Sequence, residues 1–169
     1  EEEGAYIIEA DQIARELVQP HSPAWRELTR VFGKEILEKD GTIDRKRLGN
    51  RAFSDSGQRR LLNEILHPRI KKEMGKRASK IGRKDPHAIV VFDVPLLVET
   101  GFHREVDRVV VITSKETQQI ERLKKRAGMS EEETRRIISS QMDLEEKVKA
   151  ADFVIRNEGS IETTRRRVR

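Results

Sequence analysis

Four short runs, Tyr6–Ile8, Ile89–Asp93, Val109–Thr113 and Phe153–Arg156, are almost continuously apolar and rich in β-branched side chains. They constrain the fold more than any other feature. A strand with one wet face alternates apolar and polar residues, whereas a near-continuous apolar run belongs to a strand covered on both faces, as in parallel sheets. Helical patterns separate the four runs, so the alternation predicts an α/β fold, a parallel sheet with flanking helices.

The stretch between the first two runs far exceeds a usual crossover and reads as several helices: "PHSPAWRELTRVFG", "DRKRLGNRAFS", "QRRLLNEILHP" and "RIKKEMGKRASKIG". It predicts a helical insertion over 21–85, with Pro68 restricting His67 and starting a new helix. A second helical excursion, Lys115–Ala150, turns at "AGMS" and is heavily charged, the composition of a cover over a site. The chain thus divides into a core of 1–20, 86–121 and 149–169, the insertion, and a lid over 122–148. Helix starts are marked by Ser22 before Pro23, Ser114 with Thr117, Ser130 with Glu133 as a capping box, and Ser160 before Ile161.

Composition excludes several classes. The absence of cysteine removes disulfide scaffolds and thiolate metal sites and fits a reducing, cytoplasmic setting. The apolar runs are strand-sized, too short to span a bilayer, and the acidic start "EEEG" is no signal peptide. A net charge of +5 suits an anionic partner, but aromatics at 4% are too few for base-stacking platforms, which argues against nucleic acid. Runs such as "SEEETRRII" read as solvated helix faces with i,i+4 pairing. Nothing in these patterns specifies an oligomeric state.

Ligands of parallel α/β sheets bind beyond the carboxyl ends of the strands. Those ends carry Glu9 and Asp11; then Asp93, Pro95, Leu96, Leu97 and Glu99; then Arg156, Asn157 and Gly159. Each has an ordinary reading as helix cap, strand-end acid or turn, but together they suggest a site. Arg122 and Arg126, four residues apart, share a helix face and could grip phosphate oxygens bidentately; a solvated basic face explains the spacing equally well.

"YIIEADQIARELVQPHSPAW", "DGTIDRKRLGNRAFSD", "HPRI", "VPLLVETG", "QIERLKKR", "SEEETRRIISSQM" and "LEEK" follow the order and spacing of bacterial dephospho-coenzyme A kinase, and the chain resembles that family over nearly its whole length. The resemblance implies a P-loop kinase of nucleoside-monophosphate-kinase type that moves the γ-phosphoryl group of ATP, with Mg2+, to the ribose 3′-hydroxyl of dephospho-CoA. It implies that Asp11 orients that hydroxyl, that Arg122 stabilises the transferring phosphoryl with Arg126 in support, and that His67, Arg69, Leu96, Leu97 and Glu99 line the acceptor side. Asn157, Gly159 and Ser160 would border ATP. The family's first strand and its glycine-rich phosphate loop are expected upstream of "EEEG", and without that loop little turnover and an exposed apolar strand edge are expected. Glu9, Ala127 and Asp143 stand where the family usually has aspartate, aspartate and proline. Two other readings are a kinase of another small molecule, such as a nucleoside monophosphate, and a non-enzymatic basic module binding nucleic acid through "TTRRRVR" and the Arg122 to Arg126 stripe.

Overall fold

The structure is a computed structural model that describes residues 3–127 and 130–168, with side chains at all of these except 53, 54, 126 and 127. The chain forms two compact units, Glu1–Pro95 and Leu96–Arg169.

In the first unit β1 (Tyr6–Glu9) leads directly into α1 (Ala10–Leu17). α2 (Pro23–Phe32) follows, capped by the Ser22 side chain, which accepts from the Trp25 amide at 3.1 Å. Gly33 ends this helix at φ +82°, a conformation that glycine adopts without a Cβ penalty. A 3-10 turn at Lys34–Ile36, α3 (Arg45–Ser54) and α4 (Ser56–Lys84) complete the helical insertion before β2 (Val90–Asp93). The Asp44 side chain caps α3, accepting from the Lys46 and Arg47 amides. Those hydrogen bonds, the one from Arg47 foremost, hold its carboxyl below the usual aspartate range.

The core of this unit lies in the insertion: Leu28, Phe32, Ile36, Leu48, Ala52 and Ile65 form one buried cluster, with Val18, Leu37, Ile43, Leu62 and Leu66 against it. The Trp25 indole donates to the Gly41 carbonyl at 2.9 Å, pinning α2 to the following turn. Arg77 of α4 pairs with Glu73 at 3.1 Å and with Glu16, which ties α4 to α1.

One expectation fails here. Pro68 does not begin a new helix; α4 runs unbroken for 29 residues through it. Proline removes one helical hydrogen bond and crowds a preceding carbonyl, but Ile65 and Met74 are buried on either side of it, and their packing outweighs the local preference. The Arg69 guanidinium donates to the Ile65 carbonyl, supplying a donor within the proline turn.

The second unit contains a 3-10 turn at Phe102–Glu105, β3 (Val110–Thr113), α5 (Glu116–Ala127), α6 (Glu131–Ser139), α7 (Leu144–Lys149), β4 (Phe153–Arg156) and α8 (Ile161–Val168). The capping box at Ser130 and Glu133 is formed in both directions, and Ser160 caps α8 through the Thr163 amide. α5 starts later than the Ser114 signal suggests, and the Ser114 carbonyl accepts from the Gln119 side chain. Part of the "AGMS" turn lies outside the described residues.

All the pairing is parallel. β1 pairs with β2 and β3 with β4, as two two-stranded ladders, one in each unit. Burial on both faces, expected from the apolar runs, is not found. Ile8 and Val111 are buried, but Ile7, Val91, Val110 and Phe153 are exposed, and Ile112 keeps 63% of its surface. Within each ladder a strand has one hydrogen-bonded neighbour, so one long edge and part of one face stay open.

Candidate active site

The carboxyl end of the β1–β2 ladder gathers acids. Glu9 lies directly opposite Asp93 in the parallel register, and Asp11 follows in the first turn of α1. The strand runs into the helix with no intervening loop, which is why these acids stay at the ladder's end. None of the three carboxylates has a hydrogen-bonding or ionic partner among the described residues, and all are exposed. Asp11 is not the N-cap of α1; that position belongs to Glu9, whose side chain makes no capping bond.

His67 and Arg69 sit in the middle of α4. His67 is half-buried, and burial pushes its pKa below the usual histidine value, favouring the neutral imidazole. Arg69 pairs with Glu27 of α2 at 2.5 Å and, with Pro23, Arg26 and Arg30, lines an open pocket of about 400 Å³. Three guanidinium groups around one carboxylate leave that pocket a net positive rim.

In the second unit, Leu96, Leu97 and Glu99 lie in a turn that closes on itself. The Thr100 amide and hydroxyl both donate to the Leu96 carbonyl, Gly101 N donates to Val98, and His103 N donates to Leu97 at 3.2 Å. Gly101 turns the chain at φ +75°. Leu96 is exposed and Leu97 half-buried. Glu99 is largely buried, and its Oε1 stands 2.6 Å from Lys147 Nζ.

The other second-unit residues meet at the loop after β4. Asn157 N donates to Thr113 O at 2.7 Å, continuing the ladder by one bond. Arg122 Nη2 donates to the Asn157 carbonyl at 3.2 Å, and Gln118, one turn earlier on α5, donates to the Glu158 carbonyl at 3.0 Å. The Asn157 side chain accepts from Thr164 Oγ1 at 3.1 Å, and a Cβ at Gly159 would lie 3.3 Å from the Thr163 side chain. Arg122, Asn157, Gly159 and Ser160 are therefore brought together by α5, β4 and α8. The Arg126 side chain lies outside the described residues, although its backbone belongs to α5.

Gln118 and Lys147 join the residues named from the sequence. Gln118 stands four before Arg122 on the same helix face, a spacing that could have flagged it. Lys147 has no local signal, since its partner Glu99 is distant in sequence. Among the described residues no group of three His, Asp or Glu side chains could hold a metal ion, so they form no magnesium cage. No helix is long and apolar enough to cross a membrane among those residues.

The parallel ladders with helices between their strands define an α/β fold. A family model described as dephospho-CoA kinase matches residues 1–163. The dephospho-CoA kinase of Bacillus thuringiensis subsp. konkukian is 45% identical over 159 residues, 94% of this chain and 79% of that protein. That of Corynebacterium glutamicum is 43% identical over 160 residues, 95% of this chain and 82% of that protein. Among solved structures, a Thermus thermophilus protein superposes with a TM-score of 0.82 at 26% identity, covering 99% of this chain and 83% of its own. The dephospho-CoA kinase from Campylobacter jejuni superposes at 0.67 and 29% identity, covering 98% and 82%. The chain belongs to the dephospho-CoA kinase family, and is an enzyme of the ATP-dependent phosphotransferase class.

Proposed function

We propose that the chain transfers the γ-phosphoryl group of ATP to the ribose 3′-hydroxyl of dephospho-CoA, the last step of coenzyme A biosynthesis, in the cytoplasm. The 3′-oxygen forms a bond to the γ-phosphorus as the bond from that phosphorus to the β,γ-bridging oxygen breaks, and ADP leaves. The hydroxyl proton passes to a carboxylate. Asp11 is the residue for this role: its carboxylate stands at a strand end, exposed and without a partner among the described residues. Glu9 and Asp93 at the same ladder end are equally exposed and unpartnered, so the choice of Asp11 among the three is supported by its place in the "YIIEADQIA" segment that resembles the dephospho-CoA kinase family.

Phosphoryl transfer relies on positioning and charge stabilisation rather than on covalent chemistry. Arg122 supplies the positive charge in this reading, rotating from the Asn157 carbonyl onto the transferring group, with Arg126 as its neighbour on α5. Asn157, Gly159 and Ser160 border ATP. His67, Arg69, Leu96, Leu97 and Glu99 serve the acceptor, with the insertion over 21–85 as the acceptor-binding part and 122–148 as a lid that excludes water. Magnesium would offset the phosphate charge, and none of the roles above depends on it.

The test is Asp11→Asn in the full-length enzyme. The expected outcome is a fall in kcat of about 100-fold to 10,000-fold with KM values changed by little. An unchanged kcat removes Asp11 from the reaction. Assaying nucleoside monophosphates beside dephospho-CoA decides the acceptor; faster transfer to a nucleoside monophosphate would reassign it.

A further inference from the structure

The second unit holds one ion pair that differs from the others there. Lys147 and Glu99 bring their charges 2.6 Å apart with side chains only 16% and 18% exposed. Neighbouring pairs such as Lys149 with Glu146 are wet on both sides, at 69% and 57% exposed. A surface pair contributes little, but a pair removed from water leaves an uncompensated charge if either partner is lost.

The three segments that Lys147 joins give the pair its meaning. Its ammonium also stands 3.3 Å from Gln141 Oε1, in the connection between α6 and α7. Lys147 itself belongs to α7, the last helix of the charged excursion. Glu99 belongs to the self-bonded turn after β2 that carries Leu96 and Leu97. That turn is rigid within itself, but its backbone hydrogen bonds are spent internally. Both Glu99 carboxylate oxygens are buried without a hydrogen-bond partner among the described residues, so the Lys147 ammonium 2.6 Å from Oε1 is what offsets the buried charge.

We infer that Lys147 is a positioning residue for the acceptor: by clamping Glu99 and Gln141 together it sets the place of the Leu96–Gly101 turn relative to α7. This inference rests on the phosphotransfer reading above and adds a residue, and a coupling, to it. Lys147 touches no reacting atom in this account. One ion pair and one ion–dipole contact from a single ammonium join three segments, and a lysine suits the task because its three N–H groups can be shared among acceptors in different directions.

Lys147→Met keeps the stem and removes the cation. In the full-length enzyme, assayed well below the melting temperature of the variant, the KM for dephospho-CoA should rise about tenfold while the KM for ATP stays within about twofold. Lys147→Arg should recover most of the loss. Glu99→Gln keeps a hydrogen-bond acceptor without the charge and should shift the same constant, by less. Lys149→Met is the control for an equal change of charge on the same helix and should move neither KM. A lowered melting temperature with both KM values unchanged would make the pair merely structural and overturn the inference, as would an equal effect from Lys149→Met. Should Lys147→Met fail to fold, Glu99→Gln and Lys147→Arg decide the same split. If the unsubstituted enzyme does not phosphorylate dephospho-CoA, the functional reading fails by itself. Faster hydrogen exchange over residues 96–103 in the Lys147 variant still reports whether the clamp exists, and unchanged exchange would remove it.

Discussion

The helical insertion and the four strands use similar apolar side chains and end in different surroundings. In the insertion, Leu28, Phe32 and Ile36 keep 0–1% of their surface. In the strands, Ile7, Val91, Val110 and Ile112 keep 42–63%. The strand runs are the more continuously hydrophobic of the two. Burial is therefore not a property of a residue or a run; it depends on whether other elements arrive on each face. α2, α3 and α4 surround the insertion cluster, whereas a two-stranded ladder has too few neighbours to cover both of its faces.

Four substitutions and titrations test that contrast. The largest effect is expected from Phe32→Ala, which should cost about 3–5 kcal/mol in unfolding free energy by chemical denaturation, because it empties a closed cluster. A loss no greater than that of an exposed strand residue would break the comparison.

Pro68→Ala should act in the opposite direction. An interior helix proline costs about 3 kcal/mol, and alanine returns about 1 kcal/mol of entropy to the unfolded chain, so a net gain of about 2 kcal/mol is expected. A loss of stability would mean that the proline shapes α4 in a way the cluster depends on.

A smaller effect concerns His67. Burial disfavours its imidazolium, so its folded pKa lies below the unfolded value of 6.5. Below pH 6.5 the unfolded chain binds more protons, and stability falls with pH until the folded pKa is passed. His67→Gln should flatten this part of the profile of melting temperature against pH. An unaltered profile would place the titration elsewhere.

The smallest effect is expected from Ile112→Thr, within about 0.5 kcal/mol, since a side chain 63% exposed has little burial to lose. It should reduce aggregation at high concentration by breaking an exposed apolar edge. A cost comparable to that of Phe32→Ala would show that the β3–β4 face is covered in solution.

The sequence alone marks several residues of the candidate site. Asp11 was marked by a strand running straight into a helix, and Asn157 with Gly159 by a turn signal at a strand end. Arg122 was marked only by its spacing from Arg126, which a solvated face explains as well. The hydrogen bond to the Asn157 carbonyl distinguishes Arg122 from the lysines beside it. The opposition of Glu9 and Asp93 was not legible, because it depends on the register of strands far apart in sequence.

The sequence by itself determined what short-range interactions control. The positions of the four strands, their parallel sense implied by intervening helices, the Ser22 cap and the Ser130–Glu133 box all depend on neighbours within a few residues, where bonding geometry and chain entropy leave few alternatives. Tertiary structure decided which strands pair, which apolar faces meet protein rather than water, whether α4 passes through Pro68, and that Lys147 finds Glu99. Each of these compares the free energy of contacts between distant segments with a local preference of a few kcal/mol or less. No single stretch of sequence contains both sides of that comparison.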